Sequence, residues 1–119
     1  MAILVRLSDH RHKRQAVFFS RPELTQLLTL YSRQVMCGRW RDYAIDQHHN
    51  AVLFSVFRHS REQPTFTIAK FAAGLRPHEA YLVLCGHQRL AAASSLAEVV
   101  KRLETHLRAA HPINLELYR

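Results

Sequence analysis

The hydrophobic period changes twice along this chain, and these changes constrain the fold more than any other feature. Apolar residues recur at helical spacing from Ser20 to Gly38, at alternate positions in segments between Asp42 and Ala92, and again at helical spacing after Ser95. A 3.6-residue period is typical of an amphipathic helix, and a period of two is typical of a half-buried strand. Short links between consecutive strands require antiparallel pairing. The sequence therefore predicts an α+β domain, in which an antiparallel four- to five-stranded meander sheet carries two amphipathic helices.

The first helix is predicted over residues 21–37. Ser20 and Glu23 stand at the spacing of a capping box, and Pro22 occupies the first turn, where its missing N–H costs nothing. Gly38 supplies a stop signal, because glycine readily takes the left-handed conformation that ends helices. The apolar stripe that we expect to be buried comprises Leu24, Leu27, Leu28, Tyr31 and Val35.

The sheet is predicted from the segments that follow Gly38. Strands are expected over residues 42–46, 51–57, 65–70 and 80–85, with a short fifth strand around 89–92. In the first strand, Tyr43 and Ile45 should face the core while the aspartates face solvent. The most apolar segment, 51–57, should be covered on both faces and lie centrally.

The second helix opens at Ser95, with Glu98 at the position of a second capping box. Its predicted buried stripe comprises Leu96, Val99, Val100, Leu103 and Leu107. Pro112 prevents its continuation. We therefore divide the chain into a short strand and basic arm (1–14), one α+β domain (15–111) and a C-terminal tail (112–119), and residues 15–19 read as a short β-prone segment.

The chain of 119 residues is 48% apolar, which suits one domain with a substantial core. Its apolar start is broken at once by Arg6 and Asp9, so we expect no signal peptide, and no segment is long and apolar enough to span a membrane. Neither Cys37 nor Cys85 belongs to a Cys-x-x-Cys pair, and both are expected to be buried free thiols. These features predict a cytoplasmic protein.

The charge balance of the chain is unusual: 17 Lys and Arg against nine Asp and Glu give a formal net charge of +8. Most of the cations are Arg, whose planar guanidinium suits phosphate and carboxylate. Two interpretations follow. The charge marks contact with an anionic partner, or it forms a solvated surface that aids solubility.

The densest group of candidate binding residues is Arg39, Trp40, Arg41 and Tyr43, directly after the first helix. In one interpretation Trp40 stacks on a flat ring or peptide while the flanking arginines neutralise an anion. In the other, Trp40 closes the edge of the core as a structural corner.

Two further basic segments complete the predicted binding residues. The first is the arm, which contributes Arg11, Lys13 and Arg14, and the second is a polar loop, which contributes Arg58 and Arg61. Such segments commonly follow phosphates through charge alone, although a solvated, non-binding segment has the same composition.

Catalytic and metal-binding signatures are weak. Nine histidines include the pair His10 and His12 and the pair His48 and His49, but no four-ligand spacing accompanies them. Asp42 and Asp46 stand about 13 Å apart by strand rise, too far to act together on one bond. With three glycines the chain cannot assemble a phosphate-cradling loop. We therefore predict no catalytic residues, no metal and no cofactor, and nothing implies a small-molecule ligand.

Part of the chain resembles a bacterial protein family. The likeness rests on Val17–Phe19, Glu23-Leu24, Leu30-Tyr31, the segment from Gly38 to Asp46, Phe54–Arg58, Glu62, Pro64, Ile68 and Lys70. Its most specific element is the run Trp-Arg-Asp-Tyr-Ala-Ile-Asp. These residues resemble the alphaproteobacterial domain of unknown function family 2794. The resemblance implies a small bacterial cytosolic protein and carries over no activity, cofactor or site.

Three hypotheses about function follow. The first is a non-catalytic binding module for an acidic partner, either nucleic acid or an acidic protein surface. The second is a protein–protein assembly subunit or homodimer, joined through an exposed strand edge or helix face. The third is an enzyme with an unrecognised site.

Overall fold

The computed structural model describes residues 16–59 and 63–110. Its elements are helix α1 (Arg21–Met36), strands β1 (Asp42–His48), β2 (Ala51–Phe57), β3 (Phe66–Phe71), β4 (Tyr81–Cys85) and β5 (Gln88–Ala93), and helix α2 (Leu96–Ala110). The strands form one antiparallel sheet in the order β1-β2-β3-β4-β5. The predicted α+β meander with two helices is confirmed, and the sheet has five strands. The predicted arm (1–14) and tail (112–119) lie outside the described residues.

Helix α1 begins as its sequence predicts. The Ser20 hydroxyl accepts a hydrogen bond from the Glu23 N–H at 3.2 Å, and the Glu23 carboxylate accepts one from the Ser20 N–H at 2.8 Å. This reciprocal capping box satisfies two N–H groups that the first turn would otherwise leave without partners. The helix ends at Met36, one residue earlier than predicted, and Gly38 follows with φ +75°.

The centre of the core is a row of side chains across three neighbouring strands. The register places Phe54 beside Ile68 and Ile68 beside Val83, and each of the three is at most 2% exposed. From α2, the row is covered by the predicted stripe: Leu96, Val99, Leu103 and Leu107 are buried, and Val100 is half-buried. The second helix therefore uses the face that its periodicity indicates.

Strand β2 is buried on both faces as predicted, but it is the second strand of the sheet. The middle position belongs to β3, because the meander continues for two strands beyond it. Strand β1 is an edge strand. Tyr43 and Ile45 lie on the helix-bearing face as expected, yet they remain 36% and 44% exposed because no strand or helix of the described residues lies beyond them.

The buried face of α1 differs from the predicted stripe. Leu27, Leu30 and Gln34 are buried, whereas Leu28 and Val35 are 36% and 39% exposed. The cause is the position of α1 beside α2. Arg33 of α1 pairs with Glu104 of α2 at 2.7 Å, so the flank of α1 near Leu30 faces α2 and the opposite flank stays partly exposed.

Residues 16–19, which belong to the β-prone segment 15–19, are not part of a strand. Their backbone carbonyls are instead bonded to side chains of the sheet: Gln47 donates to the Val17 oxygen at 2.8 Å, and Lys70 donates to the Phe18 oxygen at 2.7 Å. Val17 and Phe19 are buried against the core. The segment lies over one end of the sheet and pairs with no strand of residues 16–59 and 63–110.

Two local predictions need correction. Both cysteines are free, but Cys37 is exposed and Cys85 is only half-buried. Cys37 caps the C-terminus of α1, beyond the last buried residue of the helix, and therefore faces solvent. At α2 half of the expected capping box is observed. The Ser95 hydroxyl accepts from the Glu98 N–H at 3.3 Å, while the Glu98 carboxylate pairs with Arg102 at 3.4 Å.

Candidate functional site

Three predicted binding residues, Arg39, Arg41 and Arg58, meet at one end of the sheet, and we call them the arginine cluster. Arg39 and Arg58 line the same small surface cavity, together with Trp40. The Arg41 N–H donates to the Phe57 carbonyl at 2.8 Å, which places Arg41 beside the residue that precedes Arg58. The hairpin between β1 and β2 therefore joins cations that are 17 to 19 positions apart in the chain.

Arg39 is held in place by the end of α1. Its guanidinium donates to the Gln34 side-chain oxygen at 3.0 Å, and its backbone N–H donates to the Gln34 carbonyl at 2.8 Å. Gln34 is itself buried, at 7% exposure. A buried amide with a fixed orientation restricts the guanidinium that it binds, so Arg39 is the most constrained member of the cluster.

Trp40 lies in the core, at 2% exposure. Its ring packs against Tyr31 and Phe66, with centroid separations of 6.4 and 6.2 Å. This arrangement matches the interpretation in which Trp40 closes the edge of the core, and it leaves the indole no open face for a ligand ring. Trp40 is thus a core residue next to the arginine cluster, and it is not itself exposed for binding.

Tyr43 sits between the two layers of the fold. It meets the Tyr31 ring edge-on at 4.8 Å and stacks on Phe54 at 5.4 Å, while 36% of the residue stays exposed. Its backbone N–H donates to the Asp42 carboxylate at 2.8 Å. The burial of Tyr31 and the neighbouring Asp42 charge raise the pKa of the Tyr31 phenol.

Away from the arginine cluster, five of the eight described Lys and Arg residues form ion pairs with carboxylates. The cations that form ion pairs with carboxylates are Arg33, Lys70, Arg76, Arg89 and Arg102. Glu79 binds both Arg76 and Arg89, and these hydrogen bonds lower its pKa. By contrast, no carboxylate of residues 16–59 and 63–110 pairs with Arg41 or Arg58. Two arginines without a described carboxylate partner therefore lie next to each other at this end of the sheet.

The remaining predicted binding residues, Arg11, Lys13, Arg14 and Arg61, lie outside the described residues. Ala16, the first described residue, is near Ala72 and Ala73, at the far end of the sheet from the arginine cluster. A strand of seven residues such as β1 spans about 20 Å, so this distance separates the attachment point of the arm from the cluster.

A second polar group lies at that far end. The Glu23 carboxylate accepts hydrogen bonds from Ser20, from Lys70 at 2.7 Å and from the Tyr81 hydroxyl. Burial alone would raise the pKa of Glu23, but these bonds and the Lys70 charge outweigh it and hold the pKa below its ordinary value. Burial and the bond to Glu23 raise the pKa of Tyr81. The group ties the start of α1 to β3 and β4, and its polar atoms satisfy one another.

Among the described residues, no group of three or more His, Cys, Asp or Glu side chains is placed to hold a metal ion. None of the helices in residues 16–59 and 63–110 combines the length and apolarity needed to cross a membrane.

Two features of α1 were not predicted: the contact of Gln34 with Arg39 and the exposure of the flank that carries Leu28 and Val35. Gln34 reads as a polar interruption of the helix, and its role appears only when Arg39 folds back on it. A signal for the flank was present, since the apolar stripe of α1 is wider than one core-facing face requires.

The fold and the cluster define a small α+β domain with an antiparallel meander, two helices on one face and a basic end. The family model described as "Protein of unknown function (DUF2794)" matches residues 17–104, and the chain belongs to this family. The matched region covers both helices up to the last turns of α2 and the whole sheet. No curated protein and no solved structure matches the chain.

Proposed function

We propose that this protein is a non-catalytic binding module of the bacterial cytoplasm, and that the arginine cluster contacts an acidic partner. The observation that carries the proposal is the convergence of Arg39, Arg41 and Arg58 at one end of the sheet. Guanidinium groups that share one surface attract a polyanion more strongly than the same charges dispersed, because their potentials add within a screening length of about 8–10 Å.

Two classes of partner carry suitable anions: nucleic acid, through its phosphates, and an acidic protein surface, through its carboxylates. The buried position of Trp40 removes the one aromatic stacking platform that the sequence offered beside the arginines. The proposed recognition therefore relies on charge and hydrogen bonding, without stacking on a base. Affinity should fall steeply with salt.

The test is a comparison of two charge-matched double variants. Arg41→Ala with Arg58→Ala removes the two cluster members that form no ion pair with a described carboxylate, and Arg21→Ala with Lys101→Ala removes two exposed cations on the helices. For a short RNA or DNA duplex, the first pair should reduce the slope of log K against log salt by about two, since each phosphate contact contributes about one. The second pair should leave the slope unchanged.

Fluorescence anisotropy over a salt titration measures these slopes, and labelled polyglutamate in place of the duplex represents an acidic protein surface. Binding to the duplex alone assigns a nucleic-acid partner, and binding to polyglutamate alone assigns a protein partner. Equal losses in the two double variants would show that only net charge matters and would refute the cluster as a site. Failure of the wild-type protein to bind either probe would refute the proposed function.

A further inference from the structure

The molecule has an exposed apolar band along one side, which consists of Leu28, Val35, Tyr43 and Ile45. These residues are 36%, 39%, 36% and 44% exposed, respectively. Tyr31 connects the helical part of the band to the strand part, because its ring packs on Tyr43 at 4.8 Å and it lies one helical turn from both Leu28 and Val35. The band is therefore continuous from α1 to the edge strand β1.

The distribution of apolar residues around α1 indicates that this band is a contact surface for a partner. With about 100° between successive residues, one side of Leu27 carries Leu30 and Gln34, and the other carries Leu24, Leu28, Tyr31 and Val35. The core of one copy buries the first side and only part of the second. A helix with an apolar arc wider than its own core uses is typical of a helix that also faces a partner.

Strand β1 offers a backbone edge beside the band. It pairs with β2 on one side, and no other described strand pairs with it. The Tyr43 N–H is bound by the side chain of Asp42 in its own strand, which indicates that this N–H points away from β2. Backbone direction alternates along a strand, so the N–H and C=O groups of Ile45 and Gln47 point outward as well. Such an edge can extend the sheet by one more strand, with the Asp42 carboxylate releasing the Tyr43 N–H when the new strand pairs.

We propose that two copies of this chain associate through β1, side by side and antiparallel, with the two-fold axis at Ile45. This register places Ile45 opposite the partner copy's Ile45, Tyr43 opposite Gln47 and Asp42 opposite His48. The alternative centred on Ala44 would place Asp42 directly opposite Asp46, and like charges in that position destabilise a pair of strands. The proposal does not depend on the proposed function.

The arrangement also suits the charge of the molecule. Two chains with a net charge of +8 repel each other, so an interface must keep their basic ends apart. In the antiparallel register each Arg41 is eight residues along the strand direction from the other Arg41, about 26 Å. This distance exceeds the screening length of about 8–10 Å at physiological salt. The axis lies perpendicular to the sheet, so both α1 helices are on the same face and their bands adjoin.

The first experiment measures the mass of the full chain by sedimentation and light scattering over a wide concentration range. The wild-type protein should dimerise, and Ile45→Lys should weaken the dimer by about 100-fold or more, because two apolar contacts are lost and two like charges face each other. Leu75→Lys is the matched control, since Leu75 is a 52% exposed apolar residue outside the band and should leave the dimer intact. Circular dichroism checks that each variant is folded.

The second experiment tests the register. In a background with Cys37→Ser and Cys85→Ser, Ile45→Cys should form an interchain disulfide, because opposite residues on the axis have Cα atoms about 5.5 Å apart. Gln47→Cys should not, since its two copies would stand about 13 Å apart. A wild-type monomer at all concentrations would overturn the proposal. A dimer that Ile45→Lys leaves unchanged, or that cross-links through residue 47 in preference to 45, would do the same.

Discussion

At the scale of single residues, the Glu23 carboxylate makes several contacts at once. Its carboxylate accepts from the Ser20 backbone, from Lys70 and from Tyr81, and so joins the first turn of α1 to two strands. The side chain is 13% exposed, so the ion pair with Lys70 is partly shielded from solvent. Such a pair stabilises the fold more than a fully exposed one, because neighbouring hydrogen bonds offset its desolvation.

Glu23→Gln should lower the free energy of unfolding at neutral pH by about 1–3 kcal/mol, because charge-assisted bonds to Lys70 and Tyr81 are weakened. The pKa of Glu23 is lower in the folded state than in the unfolded state. Its contribution is therefore fully present above the unfolded pKa of about 4.3 and is lost as the pH falls through the folded value.

Urea unfolding between neutral and acidic pH measures this effect, and the variant should show a flatter decline below about pH 4.5. Glu98→Gln is the control. Its ion pair with Arg102 is exposed on α2, at 49% and 55%, and its removal should change the stability by less than about 0.5 kcal/mol. Equal effects of the two substitutions on stability would show that the contacts of Glu23 stabilise the fold no more than an exposed ion pair does.

The sequence predicted one of the roles of Glu23 and could not predict the others. The capping box depends on a spacing of three residues between Ser20 and Glu23, which is visible in the sequence. Lys70 and Tyr81 are 47 and 58 residues away from Glu23, and they meet it only because neighbouring positions of β3 and β4 pair beneath the start of α1. Contacts of this kind depend on sheet register, which periodicity alone does not determine.

At the scale of elements, helix α1 shows how far an apolar stripe constrains orientation. The stripe correctly predicted a helix and its approximate boundaries, but it placed Leu28 in the core and passed over Leu30. The orientation of a helix depends on its neighbours, and here α2 occupies the flank beside Leu30. The strands were easier to predict, because the alternation of apolar and polar residues specifies both the element and its buried face.

The orientation of α1 can be tested with two leucines of the same helix. Leu30→Ala should cost about 2–5 kcal/mol, because Leu30 is 1% exposed and its removal leaves a cavity. Leu28→Ala should cost much less. Both are best measured by thermal and urea unfolding in the Ile45→Lys background, so that association does not contribute. A larger loss for Leu28 than for Leu30 would contradict the described packing.

The arginine cluster was predictable in part. Once the turn between β1 and β2 is placed at His49 and Asn50, antiparallel pairing brings Arg41 next to the end of β2 and hence to Arg58. The position of Arg39 was not predictable in this way. It depends on a buried amide from the preceding helix, and a Gln in a helix ordinarily faces solvent.

At the scale of the whole molecule, the two ends of the sheet have different characters. One end carries the arginine cluster, and the other carries the Glu23 group and the segment of residues 16–19. The arginine cluster is thus separated along the sheet from the Glu23 group. If the proposed anionic partner binds the cluster, it would not compete for the bonds that hold the helix to the sheet.

The meander also has a consequence for the kinetics of folding. Every strand pairs only with its neighbours in the chain, so the sheet can assemble by closing short loops in succession, which favours a fast transition for a β-rich domain. The pair Arg33 and Glu104 closes a span of 71 residues and should form late. Stopped-flow measurements should therefore show that Ile68→Val chiefly slows refolding, whereas Glu104→Gln chiefly accelerates unfolding. The reverse assignment would mean that the two helices dock before the sheet is complete.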